Sequence, residues 1–421
     1  MKIKLISAAV RSRSRWSQIM TLSLPAVAAA TPEGHDITIE DERVKKISLD
    51  DSPDLVGISY EVFRAYRAYD VADHYREKHI PVVLGGMHAS VMPEEALLHA
   101  DAVVAGEAEE VWPQVVADAV AGKMRGIYRA KKAVDLAKLN RPRLDLLDAS
   151  RYFPLYPIEA TRGCTHACSF CSTRYVHGYG FRTRPVDHVI ADVRRAGNNI
   201  IAFLDDNLAA DEMFAKQLFT AMIPYEKKFF MQSHVLLAEN DELLLLAAKA
   251  GCIGVFVGIE SVSADTLSEA NKGFNRVDRL KNNIARFQDR GIMVDGGIIF
   301  GFDTDTPDVF DRTIDVLEKI KIDSVAVNIL IPYPGTEFYR KFEKEGRIIC
   351  TDYTKYTGNT VIIKPKNMTA EQLQAGYNRF TKDYYRMMEI VYRAFKQPNA
   401  AAVITGLISN VTHRLNYSPE K

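Results

Sequence analysis

Residues 159–171 read EATRGCTHACSFC, and the three cysteines in that stretch, Cys164, Cys168 and Cys171, decide how the rest of the chain is read. Thiolates spaced Cys-x3-Cys-x2-Cys on one loop can hold three corners of a cubane iron–sulfur cluster and leave the fourth iron without a protein ligand. An iron with an open position is a place for chemistry. The spacing also admits zinc, with His166 or His177 as a fourth ligand, although structural zinc normally draws on two paired elements. A cluster that only carries electrons would ordinarily want a fourth cysteine. Cys252 and Cys350 stand alone, and an odd, clustered set of five points to reduced thiols and not to a disulfide framework.

Downstream of the triplet, short β-rich runs alternate with helical sequence. Strands are expected at Pro157–Thr161, Ile200–Leu204, Phe229–His234, Ile253–Gly258, Val294–Phe300 and Ser324–Ile329, and helices at Asp211–Met222, Asp241–Ala250, Val277–Arg290, Pro307–Ile320 and Thr336–Glu345. Six such units fit a partial (β/α)6 barrel, whose chemistry belongs at the carboxyl ends of the strands. The polar residues that stand out fall at those ends: Asp205-Asp206-Asn207, Gln232 and His234, and Glu260-Ser261. Thr369–Phe395 reads as one long helix capped by Thr369. The last stretch of the chain carries no clear pattern.

Upstream, Ile3–Val10, Asp36–Asp41, Leu55–Ser59, Val82–Gly85 and Ala102–Ala105 read as strands, with helices at Trp16–Ala30, Ala65–Glu77, Glu94–Leu98 and Ala108–Ala121. Continuous apolar strands suit a parallel sheet covered on both faces, a doubly wound, Rossmann-like α/β domain that binds ligands at its carboxyl edge. Basic residues before Ile19–Ala30 imitate a signal peptide, but flanking strands at Ile3–Val10 and Ile37–Glu40 make a β-α-β unit the better reading. The expected division is an α/β domain over 1–125, a linker over 126–153, the barrel over 154–348 and a helical region over 349–421.

Composition agrees with a globular protein: 421 residues, 47% hydrophobic, 26% charged. The 54 Lys+Arg balance the 54 Asp+Glu, which gives no support to nucleic-acid binding. No run approaches the roughly 20 apolar residues of a membrane span, and a cytoplasmic location is expected.

The triplet, with aromatic Phe170 before its last cysteine, resembles the signature of the radical S-adenosylmethionine (SAM) superfamily. The resemblance implies a 4Fe-4S cluster on Cys164, Cys168 and Cys171, whose unique iron chelates SAM and whose electron releases a 5'-deoxyadenosyl radical. It also implies SAM contacts from Phe170, Asp205, Asp206, Asn207, Gln232, His234, Glu260 and Ser261. Gly296–Asp305 (GGIIFGFDTD, with Ile299) and Ile331–Tyr339 (IPYPGTEFY, with Pro332) are expected near adenosine. Capping of a helix start is the plain alternative for the aspartates, and a buried charge pair for Glu260.

The first domain is similar to the cobalamin (B12)-binding domain that precedes the barrel in one large radical SAM subgroup, through Asp54–Ser59 (DLVGIS), Pro81–Ser90 (PVVLGGMHAS) and Asp101–Trp112 (DAVVAGEAEEVW). The resemblance implies corrin or nucleotide-tail contacts from Ser59, Tyr60, Glu61, Val62, Gly85, Gly86, His88, Gly106 and Glu107. The sequence lacks Asp-x-His-x-x-Gly, so no histidine is set up as cobalt's lower ligand; His88 is the nearest, and reads better as a loop residue. Together the two resemblances imply a C-methyltransferase using methylcobalamin, an external ferredoxin or flavodoxin as electron donor, and a small-molecule, lipid or peptide substrate chosen by the region after Lys364. The alternative is the same architecture performing cyclisation, carbon–carbon coupling or rearrangement.

Overall fold

The computed structural model describes residues 1–9, 18–178, 180–197, 199–395 and 400–417. Val10, read as the end of the first strand, and Trp16 and Ser17, read as the start of the first helix, lie outside the described residues.

Six strands form the first sheet: β1 (Lys2–Ser7), β2 (Asp36–Asp41), β3 (Leu55–Ser59), β4 (Val82–Gly85), β5 (Ala102–Val104) and β6 (Gly126–Tyr128). Their order is β2-β1-β3-β4-β5-β6, and every pairing is parallel. Alternate residues face opposite layers. Ile6, Val56, Ile58 and Leu84 pack on the helix Ala65–Glu77, while Leu5, Val83 and Val104 pack on Leu24, Trp112 and Val115 from two other helices. The sheet is therefore doubly wound, and strand order reverses between β1 and β3, where such sheets open a crevice at their carboxyl edge. Strand β6 falls in the stretch read as linker; three residues between turns leave too little apolar pattern to announce a strand.

The second sheet takes β7 (Leu155–Ile158), β10 (Ile200–Phe203), β11 (Phe229–Ser233), β12 (Cys252–Glu260), β13 (Met293–Phe300) and β14 (Ser324–Ile329). All neighbours are parallel, and spatial order follows chain order, which makes a six-stranded partial barrel with β7 and β14 as its edges. The outer face is the largest core, where Ile201, Phe229, Val255 and Val294 meet Leu218, Leu244 and Ile284 of the surrounding helices. The single strand expected at Pro157–Thr161 is in fact two. Beyond Ile158 the chain turns away and enters an antiparallel hairpin, β8 (Thr161–Cys164) and β9 (Gly180–Thr183), which carries the cysteine loop. The turn is held by the Asp205 carboxylate, which accepts from Ala160 N at 3.0 Å, from Thr161 N and from Thr161 Oγ1 at 2.6 Å.

The long C-terminal helix is also divided. Thr369 caps Ala370–Tyr384 through a reciprocal pair with Gln372, and a second helix follows at Met387–Phe395. At the break Tyr385 turns its hydroxyl onto Val325 O of β14. A further helix, Ala400–Tyr417, lies across β12, β13 and β14, with Asn410 Nδ2 donating to Asp323 O at 2.8 Å and Val327 N donating to Tyr417 OH at 2.7 Å. The open edge of β14 is thus met by the Tyr385 and Tyr417 hydroxyls and, at Ile329 N, by Gly358 O. Among the described residues no helix is long and apolar enough to cross a membrane.

Candidate functional site

The cysteine hairpin is built for tight pairing. Arg162 sits opposite Arg182, and Gly163 opposite Phe181. Gly163 has φ +84°, and a Cβ there would lie 2.2 Å from Gly180 O, so no other residue fits. The loop is fastened to the barrel by Ser169 N donating to Ala270 O at 3.2 Å and Asn271 Nδ2 donating to Ala167 O at 2.7 Å.

All five thiols are free. His166 N and Asn207 Nδ2 donate to Cys164 Sγ at 3.5 and 3.8 Å. Burial pushes the Cys168 thiol up to about 11; Lys272 opposes this, and Cys171, Glu260 and Cys164 add to it. Among the described residues no three His, Cys, Asp or Glu side chains are gathered for a single metal ion. The two histidines that might complete a zinc site are engaged elsewhere: His166 stacks on Phe274 at 4.0 Å and His177 Nδ1 meets Glu107. Three soft sulfur donors on one loop, none in a disulfide, fit a cluster whose irons would supply the positive charge that thiolates need.

The strand-end residues divide by role. Asn207 and Ser233 are linked at 3.5 Å beside Cys164. Asp205 is spent on the β7–β8 turn, buried, with Oδ2 unpartnered and its pKa pushed by burial up to about 7. Asp206 is exposed and accepts from Thr173 at 3.1 Å. His234 is edge-on to His166 at 5.7 Å; burial, with His166 adding to it, pushes its pKa down to about 4, and its Nδ1 has no partner. Gln232 faces a different space, an apolar cavity of about 480 Å³ between Phe230 and Phe256 of the barrel and Ile404 and Ile408 of the last helix. Glu260 has φ +67° at a register slip between β12 and β13, and its Oε1 is 2.6 Å from Lys272 Nζ. A bulge with left-handed backbone on a non-glycine is stored strain of the kind found at ligand sites. Ser261 Oγ accepts from Ser263 N at 3.1 Å. Phe170 meets Phe302 at 5.9 Å in an apolar group that includes Ile299 and Ile331, next to Pro332.

At the carboxyl edge of the first sheet a cavity of about 240 Å³ is lined by Ser59, Gly85, Gly86, Gly106 and Glu107, together with apolar residues such as Val104 and Trp112. It opens against the hairpin, since Arg162, Val176 and His177 also line it. The mostly apolar slot, free of side chains at Gly85, fits the insertion of part of a large flat ligand. Other expected contacts lie elsewhere. Tyr60 is buried in the first-domain core, Val62 packs in the apolar group that holds Phe170 and Phe302, and Glu61 is exposed and paired with Arg64 at 3.0 Å. His88 does not reach the cavity. The turn at Gly86, φ +94°, folds it inward, where its Nε2 is 3.3 Å from Glu95 and its ring packs on Tyr353 at 4.8 Å.

Glu107 is engaged more heavily than the sequence suggests. Its carboxylate accepts from Arg162 Nη1 at 3.2 Å, Arg182 Nη2 at 2.7 Å and Nη1 at 3.0 Å, His177 Nδ1 at 3.2 Å and Val134 N at 3.0 Å. Burial opposes the charge, but these donors hold Glu107 far below the usual carboxylate range. Arg162 also meets Glu109 at 2.5 Å and Glu159 at 2.9 Å. Arg162, Arg182, His177 and Lys272 were absent from the sequence-based set of cofactor contacts, because nothing local marks which charges will meet.

Two family models match the chain, the B12 binding domain over residues 8–116 and the radical SAM superfamily over residues 158–334. Bacteriochlorophyllide d C-12(1)-methyltransferase of Chlorobaculum tepidum is 29% identical over 409 residues, covering 94% of this chain and 89% of the relative. Bacteriochlorophyllide d C-8(2)-methyltransferase of the same organism is 28% identical, covering 91% and 90%. Among solved structures, the cobalamin-dependent S-adenosylmethionine radical enzyme OxsB, with aqua-cobalamin and S-adenosylmethionine bound, shares the fold at a TM-score of 0.71 and 16% identity, over 100% of this chain and 73% of its own. The first match spans β2 to β5 and the second runs from the end of β7 through β14, with the cysteine hairpin inside the second and against the cavity of the first; the chain belongs to the radical SAM enzymes that carry a B12-binding domain.

Proposed function

We propose that the chain is a cobalamin-dependent radical SAM methyltransferase that places a methyl group on an unactivated carbon of a tetrapyrrole macrocycle. The observation that carries the reaction class is the junction itself: the hairpin bearing the cysteines closes one wall of the first-domain cavity. The substrate class rests on the two relatives, both named for methylation of bacteriochlorophyllide d.

When bound, the 4Fe-4S cluster, S-adenosylmethionine and cobalamin supply electron delivery, hydrogen abstraction from carbon and methyl carriage. The chain positions and shields them. Cys164, Cys168 and Cys171 would hold the cluster, with Asn207 orienting Cys164. Glu260, Lys272 and His234 present the polar groups of the barrel mouth to S-adenosylmethionine, and Phe170, Phe302 and Ile331 keep water from it. Ser59, Gly85 and Gly106 would accommodate cobalamin. Reduced thiols and a low-potential ferredoxin or flavodoxin as donor fit the cytoplasm.

The test is the full chain, reconstituted anaerobically with iron, sulfide and cobalamin, given a low-potential reductant, bacteriochlorophyllide d and methyl-labelled S-adenosylmethionine. Label is expected on a product carbon, and Cys168→Ala should abolish both label transfer and cofactor cleavage. Formation of 5'-deoxyadenosine from S-adenosylmethionine in the presence of the macrocycle, without label transfer, would assign the chain to cyclisation, coupling or rearrangement instead.

A further inference from the structure

The Glu107 carboxylate joins parts of the molecule that are far apart in sequence. It touches both strands of the cysteine hairpin through Arg162 and Arg182, the helix between them through His177, and the crossover between domains through Val134 N. On its other side it belongs to the cavity wall. Gly106 N donates to Ser90 Oγ at 2.9 Å, and Ser90 Oγ donates to Gly86 O at 2.7 Å, so the loops after β4 and β5 are tied to each other and to Glu107. These hydrogen bonds, joined through the Gly106–Glu107 peptide, therefore connect the glycines of the cavity to Arg162, two residues before Cys164.

A buried carboxylate on two guanidinium groups is a poor way to gain stability, because desolvation cancels most of the attraction. Its strength is direction: a two-pronged Arg–carboxylate contact fixes orientation as well as distance, and a lysine cannot reproduce it. Here the fixed direction is that of the cysteine hairpin relative to the first sheet.

We propose that Glu107 is a positioning residue: from the wall of the first-domain cavity it sets the register between whatever that cavity holds and the cysteine triplet. This rests on the reading of the chain as a cobalamin-dependent radical SAM enzyme. Reduced cluster and cob(II)alamin are both paramagnetic, so their separation is measurable without turnover. In the anaerobically reconstituted full chain, the electron paramagnetic resonance spectrum with both centres present should show a spin–spin splitting absent from either alone. Glu107→Gln, with iron and cobalamin content unchanged, should lose or broaden that splitting. If Glu107→Gln fails to retain either centre, Arg182→Lys decides, because it keeps the cation and removes the fork; loss of splitting there supports the proposal. Unaltered splitting in the variant that retains both centres overturns it. Wild-type chain that takes iron but no cobalamin would remove the underlying reading, and the proposal with it.

Discussion

Asp205 shows how a strand-end carboxylate can be spent on architecture. Its Oδ1 closes the β7–β8 turn from which the cysteine hairpin departs, while its buried Oδ2 has no partner. Burial raises its pKa from an ordinary value near 4 to about 7, so between those values the folded protein holds a proton that the unfolded chain releases. The stability this contributes is complete at the acid end and is lost as pH rises through the window. In denaturant titrations from about pH 5 to about pH 8, wild type should lose stability relative to Asp205→Asn; parallel curves would show that Asp205 is ionised throughout. This kind of role is invisible in sequence. The triplet was legible because its chemistry is local, three thiols within eight positions. Glu107 was legible only as a residue of a glycine-rich turn, since its partner Arg162 lies 55 residues away and either could have found another charge.

At the level of elements, continuous apolar runs announced the buried parallel strands, and most have ends within a residue or two of those expected; β1 stops at Ser7, and the run at Pro157–Thr161 is divided between β7 and β8. Besides β6, the cysteine hairpin and the last helix escaped. The hairpin sequences TRGC and GFRT are polar and glycine-bearing, with neither alternation nor an apolar run. The helix Ala400–Tyr417 turns Ser409, Asn410 and His413 toward Asp295 and Asp323 on the same side as apolar Leu407 and Tyr417, so polar residues interrupt the apolar stripe that would have marked it. Its function is to cover β14. Removing the Tyr417 hydroxyl would strand the buried Val327 N–H, a loss of about 1–3 kcal/mol. Tyr417→Phe should therefore lower the thermal midpoint while leaving iron and cobalamin binding intact, as scanning calorimetry and metal analysis would show.

Across the whole molecule, the three cysteines are carried by a two-stranded insertion that shares no ladder with either six-stranded sheet. The barrel closes its own hydrogen bonds without that hairpin, and its core lies behind the sheet, on the helix side. Loss of iron should accordingly be a local event: on cluster removal, amide exchange should quicken in residues 161–183 while the strands β10–β13 keep their protection. Uniform deprotection would mean that the cluster holds the barrel together. An enzyme built this way can be damaged by oxygen and mended in place, reloaded with iron and sulfide on a scaffold that never had to refold.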